Sequence, residues 1–126
     1  MLNNNQIIEK WLYTFGKDVA PDIVSKRVTS DGNFLWHIFT WGNANCLEKI
    51  EAKKAFDELQ YTEAIMFYGG FENSIENVCS IGKIFANDLD KNVDVYVVAK
   101  DFSWTYVQTH EDSCGPYYSE KEGENL

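Results

Sequence analysis

Few residues in this chain have types and spacing suited to chemistry. His110-Glu111-Asp112 sets an imidazole beside two carboxylates, a group fit for acid–base work or weak metal ligation. Along a strand, though, the first two side chains point to opposite faces, which pulls the pair apart. His37 lies inside the apolar run 34–41 and reads as a core histidine with a hydrogen-bond partner. Cys46, Cys79 and Cys114 are far apart and odd in number. They make no Cys-x-x-Cys metal pair, and no histidine is spaced to activate one as a nucleophile. Gly69-Gly70 follows an apolar run, but no Gly-Lys-Ser/Thr comes after it to cradle phosphate. A Gly-x-Ser-x-Gly elbow is also missing. Carboxylates are plentiful, yet nothing sets two of them against each other. These patterns assign no catalytic residue, no cofactor and no metal.

The elements that must position these residues follow from hydrophobic patterning. Asn3 to Asn5 offer a cap for a helix to about Phe15, with Ile7, Ile8, Trp11, Leu12 and Phe15 on one apolar stripe. Asp31-Gly32 is a turn signal between 23–29 and 34–41, giving an N-terminal hairpin strand. The run 34–41 is apolar on both alternating faces, the pattern of a central strand covered on two sides. Asn45 and Glu48 are spaced as a capping box for a helix to about Leu59. A second central strand is expected at 63–68. A helix follows from Ser74, with Ile75, Val78, Cys79, Ile81 and Phe85 as its buried stripe. Strands at 93–99 and 104–110 complete the pattern. The expectation is therefore one α/β domain over 1–118, with an acidic flexible tail at 119–126. Three mainly parallel strands (34–41, 63–68, 93–99) are joined by helical crossovers, and 104–110 is an antiparallel edge strand.

In such a sheet, ligands and partners meet the carboxyl ends of the parallel strands. That rule gathers Trp41, Tyr68, Glu72, Asp101 and Trp104 at one edge as a partner-binding set. The opposite edge collects Asp88, Asp90, Asp94, His110, Glu111 and Asp112, a second and mainly acidic candidate.

Composition points to the kind of partner. The 126 residues carry 20 Asp+Glu against 11 Lys+Arg, a formal net charge of −9. Residues 1–60 hold seven bases and eight acids, whereas 61–126 hold four bases and twelve acids, so the negative field comes from the second half. A chain this acidic is repelled by phosphates, which excludes nucleic acid as a partner. Its apolar runs are far too short to span a membrane, and the start 1–5 lacks the basic and apolar blocks of a signal peptide. With three scattered cysteines, the expected location is the reducing cytoplasm. Four Trp, seven Tyr and eight Phe supply more aromatic surface than such a core requires. Aromatics and carboxylates together suit contact with a basic protein, the first giving area and the second steering.

Several stretches carry a family resemblance. They are Phe34-Leu35-Trp36-His37-Ile38-Phe39-Thr40-Trp41, Cys46-Leu47-Glu48, Asp94-Val95-Tyr96-Val97-Val98, the run from Asp101 to Glu111, and Gly115-Pro116-Tyr117. Across 34–118 the chain resembles a family of small bacterial proteins catalogued as a domain of unknown function, number 4275. The Trp-His and Trp-Thr-Tyr-Val-x-Thr-His-Glu stretches are its more specific parts. The resemblance brings no reaction with it.

Two functional classes remain. One is a non-catalytic protein-binding module, in its sharpest form an immunity protein or antitoxin that docks and blocks a basic toxin. The other is a small enzyme or small-ligand binder that uses the crevice at the carboxyl strand ends, with His110 or Asp101 recruited.

Overall fold

The computed structural model describes residues 3–16, 35–42, 46–69, 75–90, 92–111 and 115–121. Helix α1 (Asn4–Gly16) opens with a reciprocal cap. Asn3 Oδ1 accepts the Gln6 amide, and Gln6 Oε1 accepts the Asn3 amide, both at 2.9 Å. A 3₁₀ helix covers Leu35–Gly42. Strand β1 (Leu47–Glu48) then runs directly into α2 (Lys49–Glu58). Four strands and one short 3₁₀ turn (Ala86–Asp88) follow: β2 (Ala64–Gly69), β3 (Ile75–Ile81), β4 (Val95–Ala99) and β5 (Trp104–Gln108). The last strand is β6 (Tyr117–Glu120).

The six strands form one sheet in the order β1-β6-β5-β4-β2-β3. Every neighbouring pair is antiparallel. The expected parallel sheet with helical crossovers is thus overturned, for two local reasons. Leu35–Gly42 is a 3₁₀ helix rather than a strand, and the two-residue β1 that leads into α2 pairs antiparallel with β6, so α2 does not join parallel strands. The segment expected as a helix from Ser74 is instead β3, which pairs with β2 as a hairpin. Strands at 63–68, 93–99 and 104–110 are present to within two residues, and the antiparallel β4–β5 pairing is as expected. The N-terminal hairpin strand at 23–29 lies outside the described residues.

A capping box from Asn45 is not what starts α2. Glu48 is itself the N-cap and makes no side-chain cap hydrogen bond. The expected tail loses its first residues to the sheet. Ser119 is buried in β6, and the Lys121 amide donates to the Ser103 carbonyl at 2.8 Å.

Alternation along the strands divides the core between the two sheet faces. On one face, Ile7, Trp11 and Phe15 of α1 and Leu35, Trp36, Ile38 and Phe39 of the 3₁₀ helix pack over Phe67, Tyr96, Val98, Val107 and Tyr117. On the other, Ala52 and Phe56 of α2 pack over Ala64, Val95, Val97, Trp104, Tyr106 and Tyr118. Trp11 fastens α1 through a buried chain of bonds. Its Nε1 donates to Thr105 Oγ1 at 3.1 Å, and that hydroxyl donates to the Val97 carbonyl at 2.9 Å. Among the described residues, no helix is long and apolar enough to cross a membrane.

Candidate functional site

Antiparallel pairing redistributes the expected partner-binding set. The β2–β4 register, Ala64↔Ala99 and Tyr68↔Val95, puts Tyr68 at one end of the sheet and the Ala99–Trp104 turn at the other. Only Asp101 and Trp104 of that set stay together. Trp41 falls within the 3₁₀ helix instead of ending a strand, and Glu72 lies outside the described residues.

At the Asp101 end a groove of about 640 Å³ opens, lined chiefly by Gln60, Tyr61, Glu63, Lys100, Asp101 and Trp104. Trp104 is only 8% exposed. Its ring lies 5.1 Å from that of Tyr61 and 6.1 Å from that of Phe56, so it forms the floor of the groove and part of the core. Asp101 is exposed and held by a turn, where its Oδ1 accepts the Ser103 amide at 3.0 Å. Hydrogen bonding from the Ser103 side chain holds the Asp101 carboxyl below the usual carboxylate range. Slight burial opposes this shift, while backbone amides and the Lys10 charge add to it. Glu63 faces the same groove, and Lys100 Nζ lies 3.7 Å from its Oε1.

Tyr61 sits among further acids. Burial pushes its phenol up, the Ile84 backbone bond opposes, and the Asp57 and Asp88 carboxylates add to the rise. This places Asp88 beside the Asp101 end rather than with His110. Its carboxylate accepts the Phe85 amide at 2.9 Å. The nearby Lys83 is engaged within the fold. Its Nζ donates to the last carbonyls of α2, Phe56 at 3.3 Å and Asp57 at 3.1 Å. The same ammonium stands over the rings of Phe85 and Tyr61 at 4.7 and 5.0 Å.

The other end of the sheet holds the second candidate. Asp94, 5% exposed, accepts both the His110 amide and His110 Nδ1 at 2.8 Å through one oxygen. The Gly69 amide donates to the Asp94 carbonyl at 3.0 Å, which ties the end of β2 to the start of β4. The Trp36 ring meets the imidazole edge-on at 6.1 Å. His110 Nε2 lies 3.8 Å from Glu111 Oε1, so the pair expected to be separated by strand alternation is close, because β5 ends at Gln108 and both residues lie beyond it. Asp94 and His110 therefore meet as the hairpin pattern implied. Asp90 caps its own turn by accepting the Asn92 amide at 2.8 Å, and Asp112 lies outside the described residues. Among the described residues, no group of three His, Cys, Asp or Glu side chains is placed to hold a metal ion.

Sequence patterning missed Tyr61 and Glu63 as groove residues. The signal was present, because both flank the start of a recognised strand. Its direction was wrongly read.

The fold is a small three-layer domain, one antiparallel sheet between α1 with the 3₁₀ helix and α2, with an acidic, aromatic-floored groove at one sheet end. The chain belongs to the family described as Domain of unknown function (DUF4275), whose model matches residues 6–118. That match includes α1 from residue 6 onward and so reaches further than the resemblance over 34–118. No curated protein and no solved structure matches the chain.

Proposed function

We propose that this chain is a non-catalytic protein-binding module of the cytoplasm that docks a basic protein and blocks it, as an immunity protein or antitoxin does. The observation that carries this reading is the groove at 60–63 and 99–104, where the exposed carboxylates of Glu63 and Asp101 flank an aromatic floor of Tyr61 and Trp104. A lysine or arginine entering it gains both kinds of contact. The carboxylates pair with the charge, and the ring faces attract the cation. The −8 formal charge carried by residues 61–126, four bases against twelve acids, supplies long-range attraction. Trp104 is a supporting floor in this account, and the interface energy comes from what the partner inserts.

The partner is to be sought by co-purification, and the complex then challenged with the double substitution Glu63→Gln, Asp101→Asn. The expected partner is basic, released by salt, and lost with the double variant. A partner of net negative charge, or one held equally well by the double variant, refutes the assignment.

A second reading, a small enzyme, is favoured by the Asp94–His110 pair. Buried Asp94 orients the ring through Nδ1, and Nε2 lies 3.8 Å from Glu111 Oε1, so an imidazole stands between two carboxylates. The carboxyl-end crevice that first motivated this reading has no counterpart in an antiparallel sheet. His110→Gln separates the two readings, because the docking account predicts unchanged partner binding.

A further inference from the structure

Between α1 and the β2–β3 hairpin lies a cleft of about 300 Å³ that shares one lining residue, Lys100, with the acidic groove. Its walls are the apolar side chains of Ile7, Ile65, Val78 and Phe102, with Ser80 and Lys100 supplying polarity. Cys79 contributes from the strand, but it pairs with Met66 on the opposite face, so its thiol turns away. Although the chain is strongly acidic, the one charged residue lining this cleft among the described residues is a cation.

Lys100 is set for an anion. An ammonium has three donors, and Ser80 Oγ takes one at 3.0 Å. Glu63 Oε1 forms an ion pair with it at 3.7 Å, too long for a hydrogen bond, so an incoming carboxylate would share the ammonium with Glu63. A second cation flanks the same wall, since Lys10 Nζ lies 4.8 Å from the centre of the Phe102 ring. Phe102 is itself held in a costly conformation. Its φ of 60° lies in the left-handed region that suits glycine or asparagine, while its ring is buried against α1. A bulky residue kept in a strained turn is a mark of functional sites.

We propose that this cleft binds a small apolar carboxylate, with an aliphatic tail against Ile7, Ile65, Val78 and Phe102 and its carboxylate on Lys100. The volume holds about ten water-sized groups, close to the non-hydrogen atoms of octanoate. It also lies at the lower limit of small-molecule sites. The proposal does not depend on the docking function.

The test titrates octanoate into the full chain and follows backbone amide shifts and intermolecular NOEs, with octanol and octylammonium as parallel probes. Saturable binding is expected, with NOEs from the tail to the Ile7, Ile65 and Val78 methyls. Octanoate should bind about two- to fivefold more tightly than octanol, the value of a half-exposed ionic contact. Octylammonium should bind most weakly. Lys100→Gln should reduce octanoate to the octanol level, and Val78→Trp should fill the cleft and abolish binding. Unsaturable shifts, NOEs to other residues, equal affinity for octanoate and octanol, or no effect of Lys100→Gln each overturn the proposal. The NOEs on the unmodified chain decide the location even if Val78→Trp does not fold.

Discussion

Two buried tyrosines should respond to the same change with opposite sign. The Tyr106 ring is fully buried and stacked on Phe56, with centroids 4.2 Å apart and planes 10° from parallel. Among the described residues, its buried hydroxyl has no hydrogen-bond partner. Leaving a buried hydroxyl unsatisfied costs about 1–3 kcal/mol, so Tyr106→Phe removes a penalty and keeps the stack. A gain of about 1 kcal/mol is expected. The Tyr96 hydroxyl, by contrast, accepts the Trp36 amide at 3.2 Å in the core on the other face. Tyr96→Phe takes that acceptor away and should cost about 1 kcal/mol. The two variants should therefore differ by about 2 kcal/mol, read as midpoint shifts in urea at an unchanged m-value. If Tyr106→Phe destabilises by more than about 0.5 kcal/mol, its hydroxyl is satisfied and the packing on the α2 face has been misread. If Tyr96→Phe is neutral, the 3₁₀ helix is not anchored through this bond.

Trp104→Ala should cost about 3–5 kcal/mol as a core truncation, whereas Asp101→Asn should leave stability at pH 7 within about 1 kcal/mol, both by urea unfolding. Because the folded-state pKa of Asp101 is lowered, its small contribution is present at neutral pH and lost as pH falls through that value. The difference between the chain and Asp101→Asn should accordingly begin to shrink near pH 4, the ordinary aspartate value, and vanish only below the lowered folded value. Burial, with Glu48 adding, pushes the Cys46 thiol up to about 12, while Cys79 is exposed. Peptide mapping after iodoacetamide at pH 8 should therefore show Cys79 modified at least about tenfold faster than Cys46. Lys83→Met should cost about 1 kcal/mol, since it removes a cation from three rings and from the last carbonyls of α2. Thermal unfolding checks it, and an unchanged midpoint would show that this contact adds nothing.

The strands at 64–69, 95–99 and 104–108 were legible because β-branched and aromatic runs bounded by turns have few alternatives. Two misread segments account for the wrong topology. An apolar run of eight residues does not show its own period, and Leu35, Trp36, Ile38 and Phe39 are buried as a helix lying on the sheet. The β3 error has a sharper cause. Between Met66↔Cys79 and Tyr68↔Glu76 the register shifts, so Phe67 faces both Asn77 and Val78, with Asn77 at a φ of 54°. This bulge brings Ile75 and Val78, three apart, to the same sheet face, and three-residue spacing is what a helix would show. Strand direction then followed from the supposed crossovers, and the candidate site inherited the error. Tyr68 was carried to the wrong end, while Asp101 with Trp104 and Asp94 with His110 survived because each pair lies within one hairpin. β6 was missed because the polar, acidic stretch from Ser119 reads as a flexible tail.

The central claim, that the Glu63–Asp101 groove receives a basic partner, is tested most directly by association rates as a function of ionic strength. The partner obtained by co-purification would be mixed with the unmodified chain and with the Glu63→Gln, Asp101→Asn variant. The account predicts that the unmodified chain associates about tenfold faster than the variant at low salt. The two should converge well above physiological salt, where screening lengths fall below about 8 Å. Equal association rates and equal salt slopes for the two proteins would contradict it.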